Sequence, residues 1–470
     1  MKITLAGIGV RAGDMTLAAL NAAKNTETVF LRTALSDSGK NISALGIKAK
    51  SFDYLYESSR NFDTLSKKIA REVLNAAKTL NVVYLVDGDV TDDVSCRIIL
   101  EKRKGKDVEI INGVSRADAC ASAVGLGGRY LKLSAYELKS ARLTLPLVIT
   151  DVDNAFKASE VKLAVSDAFG DDIPCYKFVN DTFKEIKLYE YDFEDDFDYS
   201  SAIVVPDLDY LHKSRHGFSD LIEIVKALRA ENGCPWDKAQ TKESVLINLI
   251  EEAYELVDAV KCGDEDGMQE ETGDLLLQAA FQIIFALERG AFTDRDVLSG
   301  ICNKLISRHT HVFGSDKAAS ATDALSVWNK NKQKEKGYSS GAEYVSAVPK
   351  SFPALLRAEK VSKRAAKYNL DFSSEKQIFD KIKEECEEVK EAIKTGDENN
   401  LKEELGDLLF SVTNLLRYLG VEAEEALNIS TEKFIDRFIK AEKAAAQDGK
   451  NLKDMTKEEA DKYYDAVKKS

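Results

Sequence analysis

The pattern of hydrophobic and polar positions changes once along the chain, between residues 208 and 218. Before that point, segments of helical period such as residues 61–79 alternate with short β-rich runs: KITLAGIG, TVFLRT, VVYLVDGD, DVEIING, LPLVITDV, IPCYKFV, FKEIKLYEY and SAIVVPD. Beyond it, the hydrophobic runs are long and follow the helical period. Because alternating strands and helices are typical of α/β folds, the pattern predicts an N-terminal α/β domain followed by all-α modules.

One helix of the all-α part is predicted around IEEAYELVDAV, residues 250–260, with Thr241 as its N-cap and Gly263 just past its end. An apolar stripe on this helix is expected to pack against neighbouring elements. It consists of Leu246, Leu249, Ile250, Ala253, Val257 and Val260. The opposite face carries three acids, Glu251, Glu255 and Asp258, and Glu252 lies between the faces. Taken alone, this pattern indicates an amphipathic helix with a solvated acidic side.

The next predicted helix changes that interpretation. From Leu275 to Leu287 it is apolar on nearly every face, which predicts burial in a bundle or a subunit interface. Glu271 and Asp274, three residues apart, share a face at the mouth of this helix. Ionised carboxylates there need a partner, because an unpaired charge is costly away from water.

Antiparallel packing of the two helices would bring Glu251 and Glu255 towards Glu271 and Asp274. Two like charges about 4 Å apart repel by roughly 4 kcal/mol at an effective dielectric constant of 20. The arrangement therefore predicts bound cations or raised pKa values. A set of oxygen ligands without His or Cys suits Mg²⁺, which prefers an octahedral oxygen shell.

The acidic pattern occurs twice. Glu251-Glu252-x-x-Glu255 returns as Glu384-Glu385-x-x-Glu388, and Glu271-x-Gly273-Asp274 returns as Glu404-x-Gly406-Asp407. Both matches have an offset of 133 residues (384 − 251 and 404 − 271). Duplication of one helical unit is the simplest explanation. We therefore predict an α/β domain at residues 1–208, linkers at 209–218 and 341–356, and all-α modules at 219–340 and 357–470.

Composition and charge exclude several classes of protein. A formal net charge of −14 argues against nucleic-acid binding, which needs clustered Lys and Arg. The N-terminus lacks the pattern of a signal peptide, and no apolar stretch is long enough for a bilayer, so we expect a cytoplasmic protein without a membrane partner. Seven scattered cysteines without a CxxC spacing fit a reducing compartment and no structural zinc.

Both acidic repeats resemble the MazG-type nucleoside triphosphate pyrophosphohydrolases, which are all-α enzymes with two adjacent glutamates, a third glutamate three residues on, and Glu-x-x-Asp after a gap. The first copy also has family-like segments NGCPWDKAQT, GICNKLISRHTHVFG and VWNKNKQKEK. The resemblance implies a Mg²⁺ shell and catalytic set formed by Glu251, Glu252, Glu255, Glu271 and Asp274, and in the second copy by Glu384, Glu385, Glu388, Glu404 and Asp407.

The same resemblance implies residues that contact the phosphates and the base of the substrate. They are Lys304, Arg308 and Trp328 in the first copy, and Lys433, Arg437 and Tyr464 in the second. Tyr464 stands where the family usually has Trp, and a tyrosine ring can also stack on a base. The implied reaction is cleavage of a nucleoside triphosphate to the monophosphate and pyrophosphate. One role expected for this reaction is housecleaning of the nucleotide pool.

The N-terminal part contains GIGVRAG directly after its first predicted strand. A lone glycine-rich turn fits a dinucleotide, a methyl donor or a tight connection equally well. With VVYLVDGD and INGVSRADA, residues 1–208 resemble the tetrapyrrole methylase-like domain, which binds S-adenosylmethionine. The donor positions implied by this resemblance are Gly7, Gly9, Gly88, Asp89, Gly113, Val114 and Ser115. Val10, Arg11 and Ala12 depart from the family's first loop.

Three functions remain open at this level. The first is a Mg²⁺-dependent nucleoside triphosphate pyrophosphohydrolase, expected to form a homo-oligomer such as a dimer because its apolar helices need burial. The second is an S-adenosylmethionine-dependent methyltransferase whose helical half serves oligomerisation or nucleotide sensing. The third is a nucleotide sensor that binds without turnover.

Overall fold

The computed structural model describes residues 1–59, 62–103, 105–179, 182–336 and 338–469. The chain divides into two compact units, Met1–Val297 and Leu298–Ser470. The first unit holds the sheets and the first acidic hairpin, and the second unit holds the second acidic hairpin.

The strands of the described residues all lie in the first unit. They are β1 (Lys2–Gly7), β2 (Thr28–Leu31), β3 (Lys50–Ser51), β4 (Val82–Val86), β5 (Asp107–Ile111), β6 (Leu131–Ser134), β7 (Leu147–Thr150), β8 (Pro174–Val179), β9 (Thr182–Lys187) and β10 (Ala202–Val205). Two five-stranded sheets result, with the orders β3-β2-β4-β1-β5 and β6-β7-β10-β8-β9. The first sheet is parallel throughout, and in the second only β6 and β7 run parallel.

Seven helices accompany these strands in the described residues: α1 (Leu17–Lys24), α2 (Asp37–Ala44), α3 (Asp53–Glu57), α4 (Phe62–Ala76), α5 (Val94–Lys102), α6 (Arg116–Ala123) and α7 (Ala155–Phe169). The helical part that follows begins with α8 (Phe218–Arg229), α9 (Pro235–Ala239), α10 (Leu246–Cys262), α11 (Glu265–Glu288) and α12 (Asp294–Arg308). It continues with α13 (Thr310–Phe313), α14 (Ala321–Lys336), α15 (Gly341–Ser346), α16 (Ala354–Ala366), α17 (Glu375–Thr395), α18 (Glu398–Tyr418), α19 (Ala423–Gln447) and α20 (Lys457–Lys469).

The central strand β4 shows why the parallel sheet is buried on both faces. Its sequence VVYLV is apolar without interruption, and all five residues are buried. Because side chains alternate along a strand, Val82, Tyr84 and Val86 pack into a core with α4 and α5, while Val83 and Leu85 pack into another with α1 and α2. Strand β4 is therefore covered by helices on both faces of the sheet.

The predicted fold class is confirmed: an α/β domain is followed by helices, and none of the described residues after Val205 lies in a strand. All eight strand runs form strands. The sequence pattern missed β3, which has two residues, and β6, whose residues are all at least partly exposed. Neither strand presents the apolar run that marks a buried strand.

The predicted start of α10 is wrong by several residues. Thr241 does not cap the helix; its backbone N–H donates to Ser244 Oγ (2.9 Å), and the Ser244 N–H donates to Thr241 Oγ1 (3.1 Å). This closed turn precedes the helix, which starts at Leu246. The predicted end is confirmed, since Gly263 adopts the left-handed conformation (φ 68°) that glycine tolerates.

Burial differs between α10 and α11. The predicted burial of the apolar segment of α11 holds from Gln278 onward, where it packs with Ile222 and Val225 of α8, but not at Leu276, which is exposed. By contrast, no residue of α10 is buried, and Ile250 in its apolar stripe is 50% exposed. The stripe is therefore not covered within this chain's first unit. Among the described residues, no helix combines the length and apolar character needed to span a bilayer.

Candidate metal centres and the loops of the α/β domain

The first acidic hairpin consists of α10 and α11, which pack along each other. Gly263 ends α10, and Asp264 caps α11 by accepting the Gly267 N–H (3.1 Å). This short connection folds the two helices back on each other as an αα-hairpin. It therefore places the acids of α10 beside those at the start of α11.

Glu252, Glu271 and Asp274 form what we call the first acid cluster. Each offers one carboxylate oxygen, and these oxygens lie within 4.8 Å of one another. Partial burial raises the pKa of Glu252, and the charges of Asp274 and Glu255 raise it further. Partial burial likewise raises the pKa of Glu271, together with the charge of Glu255. Mutual repulsion of this kind is relieved by a bound cation.

Gln278 lies one turn beyond Asp274 in α11 and was not singled out from the sequence. Its side chain is 5% exposed, and its hydrogen bond to Glu252 opposes the rise in that carboxyl's pKa. Its Oε1 atom is buried without a hydrogen-bond partner among the described residues. Two amides, Gln278 and Gln282, interrupt the otherwise apolar segment, and this interruption was the only signal in the sequence.

The second acidic hairpin repeats this geometry with α17 and α18. Gly396 ends α17 in the left-handed conformation (φ 70°), and Asp397 caps α18. Glu385, Glu404 and Asp407, our second acid cluster, again place one oxygen each within 4.8 Å of one another. Partial burial raises the pKa of Glu388, as do its hydrogen bond to Glu385 and the charge of Glu404. An open cavity of about 280 Å³ adjoins the hairpin and is lined by Glu384, Glu387, Glu388, Glu391, Asn400 and Glu404.

Lys381 distinguishes the second cluster from the first. Its Nζ atom lies 2.8 Å from a carboxylate oxygen of Glu384 and 2.8 Å from one of Glu385. The contact with Glu384 raises the pKa of the Lys381 ammonium group most, and the contact with Glu385 raises it further. Lys381 was not predicted as a site residue, although a lysine three and four residues before two glutamates is a readable helical signal.

Four of the predicted ligands lie outside these clusters: Glu251, Glu255, Glu384 and Glu388. Glu251 and Glu384 are exposed on α10 and α17, and neither belongs to its hairpin's group of three converging carboxylates. The adjacent glutamates of each pair thus have different surroundings. Their roles, and those of the other acids, stay predictions.

The predicted substrate residues of the first repeat, Lys304, Arg308 and Trp328, lie in the second unit. The Arg308 guanidinium lies 5.2 Å from the centre of the Trp328 ring, and Arg308 Nε donates to Glu335 (2.8 Å). Arg308 is buried, whereas Lys304 is exposed. The structure therefore brings Arg308 and Trp328 together as a stacked pair.

The corresponding residues of the second repeat lie on α19 and α20. Tyr464 packs against Phe434, with ring centres 5.7 Å apart. Lys433 and Arg437 stand on the same helix as Phe434, and within the described residues neither forms an ion pair or hydrogen bond. These two cations are thus available for a ligand.

Three glycine loops of the α/β domain meet at the carboxyl ends of neighbouring strands β4, β1 and β5. A Cβ atom on Gly7 would lie 2.6 Å from both Gly113 N and Gly88 O, so the loops touch through their backbones. Gly9 has φ 78° and exchanges two backbone hydrogen bonds with Gly88. Close packing between loops therefore explains these glycines without a ligand.

The remaining predicted donor positions lie in the same loops. Burial alone would raise the pKa of Asp89, but hydrogen bonds from Thr91 and the Gly113 N–H lower it. Val114 is exposed, and Ser115 is buried and precedes α6. Open α/β sheets bind ligands at this edge, so the position fits a donor site even though Asp89 is already hydrogen-bonded.

The acid clusters pass a chemical test for Mg²⁺. Both consist of carboxylates alone, in the residue types that hard divalent cations prefer, and their oxygens are close enough to share one ion. Desolvation, followed by the charges of neighbouring carboxylates, raises the pKa values of Glu252, Glu271 and Glu388. The residues present thus fit the ion.

Comparisons with known proteins support two kinds of domain. The family described as "MazG nucleotide pyrophosphohydrolase domain" matches residues 240–313 and 373–440, and "Tetrapyrrole (Corrin/Porphyrin) Methylases" matches residues 2–130. The uncharacterized protein YabN of Bacillus subtilis is 32% identical over 495 residues, which covers 100% of this chain and 99% of YabN.

Two named enzymes match the helical part. The nucleoside triphosphate pyrophosphohydrolase/pyrophosphatase MazG of Thermotoga maritima is 40% identical over 251 residues, covering 53% of this chain and 95% of the relative. The nucleoside triphosphate pyrophosphohydrolase of Escherichia coli K12 is 37% identical over 252 residues, covering 53% of this chain and 96% of the relative.

Proposed function

This chain belongs to the family of proteins that, like YabN, join an N-terminal tetrapyrrole methylase domain to two MazG repeats, and we propose that it hydrolyses nucleoside triphosphates to monophosphates and pyrophosphate. The observation that carries the proposal is the pair of carboxylate clusters, each built at an αα-hairpin within a MazG match. The names of the Thermotoga maritima and Escherichia coli relatives support the same reaction.

The acid clusters are proposed to hold Mg²⁺. The ion would supply positive charge that offsets the triphosphate and the leaving pyrophosphate. A glutamate whose pKa is raised, such as Glu271 or Glu388, is a stronger base once ionised and is suited to accept a proton from the attacking water. Lys433 and Arg437 carry unpaired positive charges that suit a polyphosphate.

The test is incubation of the pure chain with each nucleoside triphosphate and Mg²⁺, followed by separation of the products. The proposal requires equal amounts of monophosphate and pyrophosphate, and loss of both products when a chelator removes the metal. Release of diphosphate and inorganic phosphate would contradict it, because a different phosphoanhydride bond would then be cleaved.

A second activity is proposed for the α/β domain, namely binding of S-adenosylmethionine. The convergence of the β1, β4 and β5 loops at the carboxyl edge of a parallel sheet supports it, because such edges bind ligands in open α/β folds. Calorimetric titration with S-adenosylmethionine tests the idea. Absence of binding heat would leave the domain as a scaffold.

Self-association is proposed from the surface of α10. Its outward side is apolar and exposed along the whole helix, at Ile247, Ile250, Tyr254 and Val257. Exposed apolar surface of this extent marks an interaction site, and a second copy of the chain would cover it. Sedimentation equilibrium measures the mass, and a monomer at micromolar concentration would contradict the proposal.

The cytoplasm is the proposed compartment. All seven cysteines are unpaired thiols, including the exposed Cys262 and Cys302. This supports a reducing environment, in which thiols persist. Cell fractionation checks the location, and recovery from an oxidising compartment would contradict it.

A further inference from the structure

Each acid cluster contains one glutamate from the first helix of its hairpin, Glu252 or Glu385, and these two glutamates are stabilised differently. Glu252 of the first cluster receives a hydrogen bond from the neutral amide of Gln278. Glu385 of the second cluster is 3% exposed and contacts the ammonium group of Lys381 at 2.8 Å. A buried carboxylate needs a charged or hydrogen-bonded partner, and Lys381 satisfies that need with a full positive charge.

The repeat itself provides the comparison for Lys381. At the offset of 133 residues, Lys381 corresponds to Asn248 in α10 (381 − 133). Asn248 stands three and four residues before Glu251 and Glu252, just as Lys381 stands before Glu384 and Glu385. The first module therefore has the same helical geometry without the cation.

We propose that Lys381 is a built-in counter-cation of the second acid cluster, so that the second module binds divalent cations more weakly than the first. The proposal deepens the proposed hydrolase function and rests on it, because it concerns the metal that the same clusters would hold. The ammonium group offsets part of the charge that attracts a metal ion, and it also repels an ion bound nearby.

The consequence is two unequal metal sites in one chain. The first module would fill at low metal concentration, and the second only at a higher one. Lys381 acts through Glu384 and Glu385 and is in this sense a positioning residue. Removal of its charge is expected to strengthen metal binding, whereas loss of a merely structural lysine would weaken it.

The experiment measures Mn²⁺ binding to the full-length chain without nucleotide, by the electron paramagnetic resonance signal of the free ion. Glu271→Gln with Asp274→Asn disables the first cluster and isolates the second. In that background, Lys381→Asn is expected to tighten Mn²⁺ binding by roughly tenfold or more. Unchanged or weaker binding would overturn the proposal.

The reciprocal variant keeps the proposal testable if Lys381→Asn does not fold. Glu404→Gln with Asp407→Asn isolates the first cluster, and Asn248→Lys is then expected to weaken Mn²⁺ binding by a similar factor, roughly tenfold. Binding that stays as tight as before would also overturn the proposal.

Lys383→Asn is the matched control for charge. Lys383 lies on α17 two residues from Lys381, is exposed, and pairs only with Asp380 at 3.8 Å among the described residues. Its removal lowers the charge of the same helix by the same amount, so an equal tightening would attribute the effect to net charge and refute a specific role of Lys381.

Nucleotide hydrolysis is measured separately on the unaltered chain. If the affinities shift as expected but no monophosphate appears, the proposed function fails while the inference about Lys381 stands. If hydrolysis occurs and the affinities do not shift, the inference alone fails.

Discussion

The helices α10 and α17 carry the same acidic pattern but differ on their other sides. Four outward positions of α10 are Ile247, Ile250, Tyr254 and Val257, all exposed. At the offset of 133 residues α17 has Asp380, Lys383, Glu387 and Lys390, which pair with one another as Lys383–Asp380 and Lys390–Glu387. The two repeats thus share their candidate chemistry, whereas these four positions are apolar in the first repeat and charged in the second.

The interior of the two hairpins differs as well. Gln278 forms a hydrogen bond with Glu252 in the first hairpin, and Lys381 forms an ion pair with Glu385 in the second. A neutral donor leaves the charge of the carboxylates in place, while a lysine offsets part of it. The comparison teaches that an identical ligand pattern does not imply identical metal affinity, because residues next to the ligands change the local charge.

The largest expected effect tests whether both clusters support turnover. Glu252→Gln combined with Glu385→Gln removes one carboxylate from each cluster while keeping the shape of the side chain. We expect monophosphate release to fall at least about a hundredfold, because the metal shell is lost. Each single variant then reports the share of the other cluster, measured as the steady-state rate at saturating Mg²⁺.

The control for this pair is Glu375→Gln, which removes an exposed carboxylate from the first turn of α17, away from the acid cluster. Its rate should match that of the unaltered chain. A double variant that retains more than about a tenth of the rate would show that the clusters are structural.

The second prediction concerns pH and metal. The folded-state pKa values of Glu252 and Glu271 are raised, so their contribution to stability is fully present below the unfolded-state pKa and is lost as pH rises through the folded-state pKa. Mg²⁺ should offset this loss near neutral pH by about 2.7 kcal/mol at a hundredfold excess over its dissociation constant. At about pH 4 the carboxyls bind protons instead, and the gain should vanish.

Calorimetry with and without Mg²⁺ at the two pH values measures this effect as a shift of a few degrees in the midpoint. Sodium chloride at matched ionic strength is the control for screening. Equal shifts at both pH values would mean that Mg²⁺ acts elsewhere than on these carboxylates.

The third prediction uses the apolar side of α10. Ile250→Lys introduces the residue that α17 has at the equivalent position, Lys383. Because burial of an isoleucine contributes about 2 kcal/mol, its loss from both copies should weaken a dimer by more than about a hundredfold. Sedimentation equilibrium reports the fall in mass.

Phe156→Lys provides the comparison, because Phe156 is 71% exposed but lies on α7 of the α/β domain. It should leave the mass unchanged. If Ile250→Lys leaves the mass of an oligomer unchanged as well, the α10 surface does not mediate association.

Much of the fold could be predicted because it depends on local periodicity. The five buried residues of β4 form one apolar run, and the glycines at 263 and 396 mark helix ends by conformation alone. Spacing and the repeat predicted that Glu271 and Asp274 meet acids of α10, but they predicted Glu251 and Glu255 there, whereas the structure brings Glu252 into the cluster. Each of these signals lies within a few residues of the chain or in a second copy of the same acidic pattern.

Other features could not be predicted because they depend on what lies nearby in space. Thr241 has a capping side chain, yet Ser244 engages it in a separate turn. The period of α10 gives the direction of Ile250 but not what covers it. Lys381 is visible at helical spacing, but only the burial of Glu385 shows that its charge is needed inside the cluster.

The smallest expected effect concerns Gln278. Its hydrogen bond to Glu252 lowers the pKa of that carboxyl group, whereas burial and nearby acids raise it. Gln278→Leu removes this donor, so the pKa of Glu252 should rise further. Metal binding to the first cluster requires the ionised carboxylate. The pH at which metal binding is half-maximal should therefore rise by about half a unit, which corresponds to the free energy of one ordinary hydrogen bond.

Stability should change little, by less than about 1 kcal/mol, because the variant also removes the buried Oε1 that has no partner among the described residues. Mn²⁺ titrations across pH, with the second cluster disabled by Glu404→Gln and Asp407→Asn, measure the shift. Gln282→Leu is the matched control, since Gln282 lies one turn further along α11 and donates to the Lys242 carbonyl instead (3.0 Å). A shift of the same size in both variants would assign it to the helix as a whole, whereas a shift in Gln278→Leu alone identifies the amide as the neutral counterpart of Lys381.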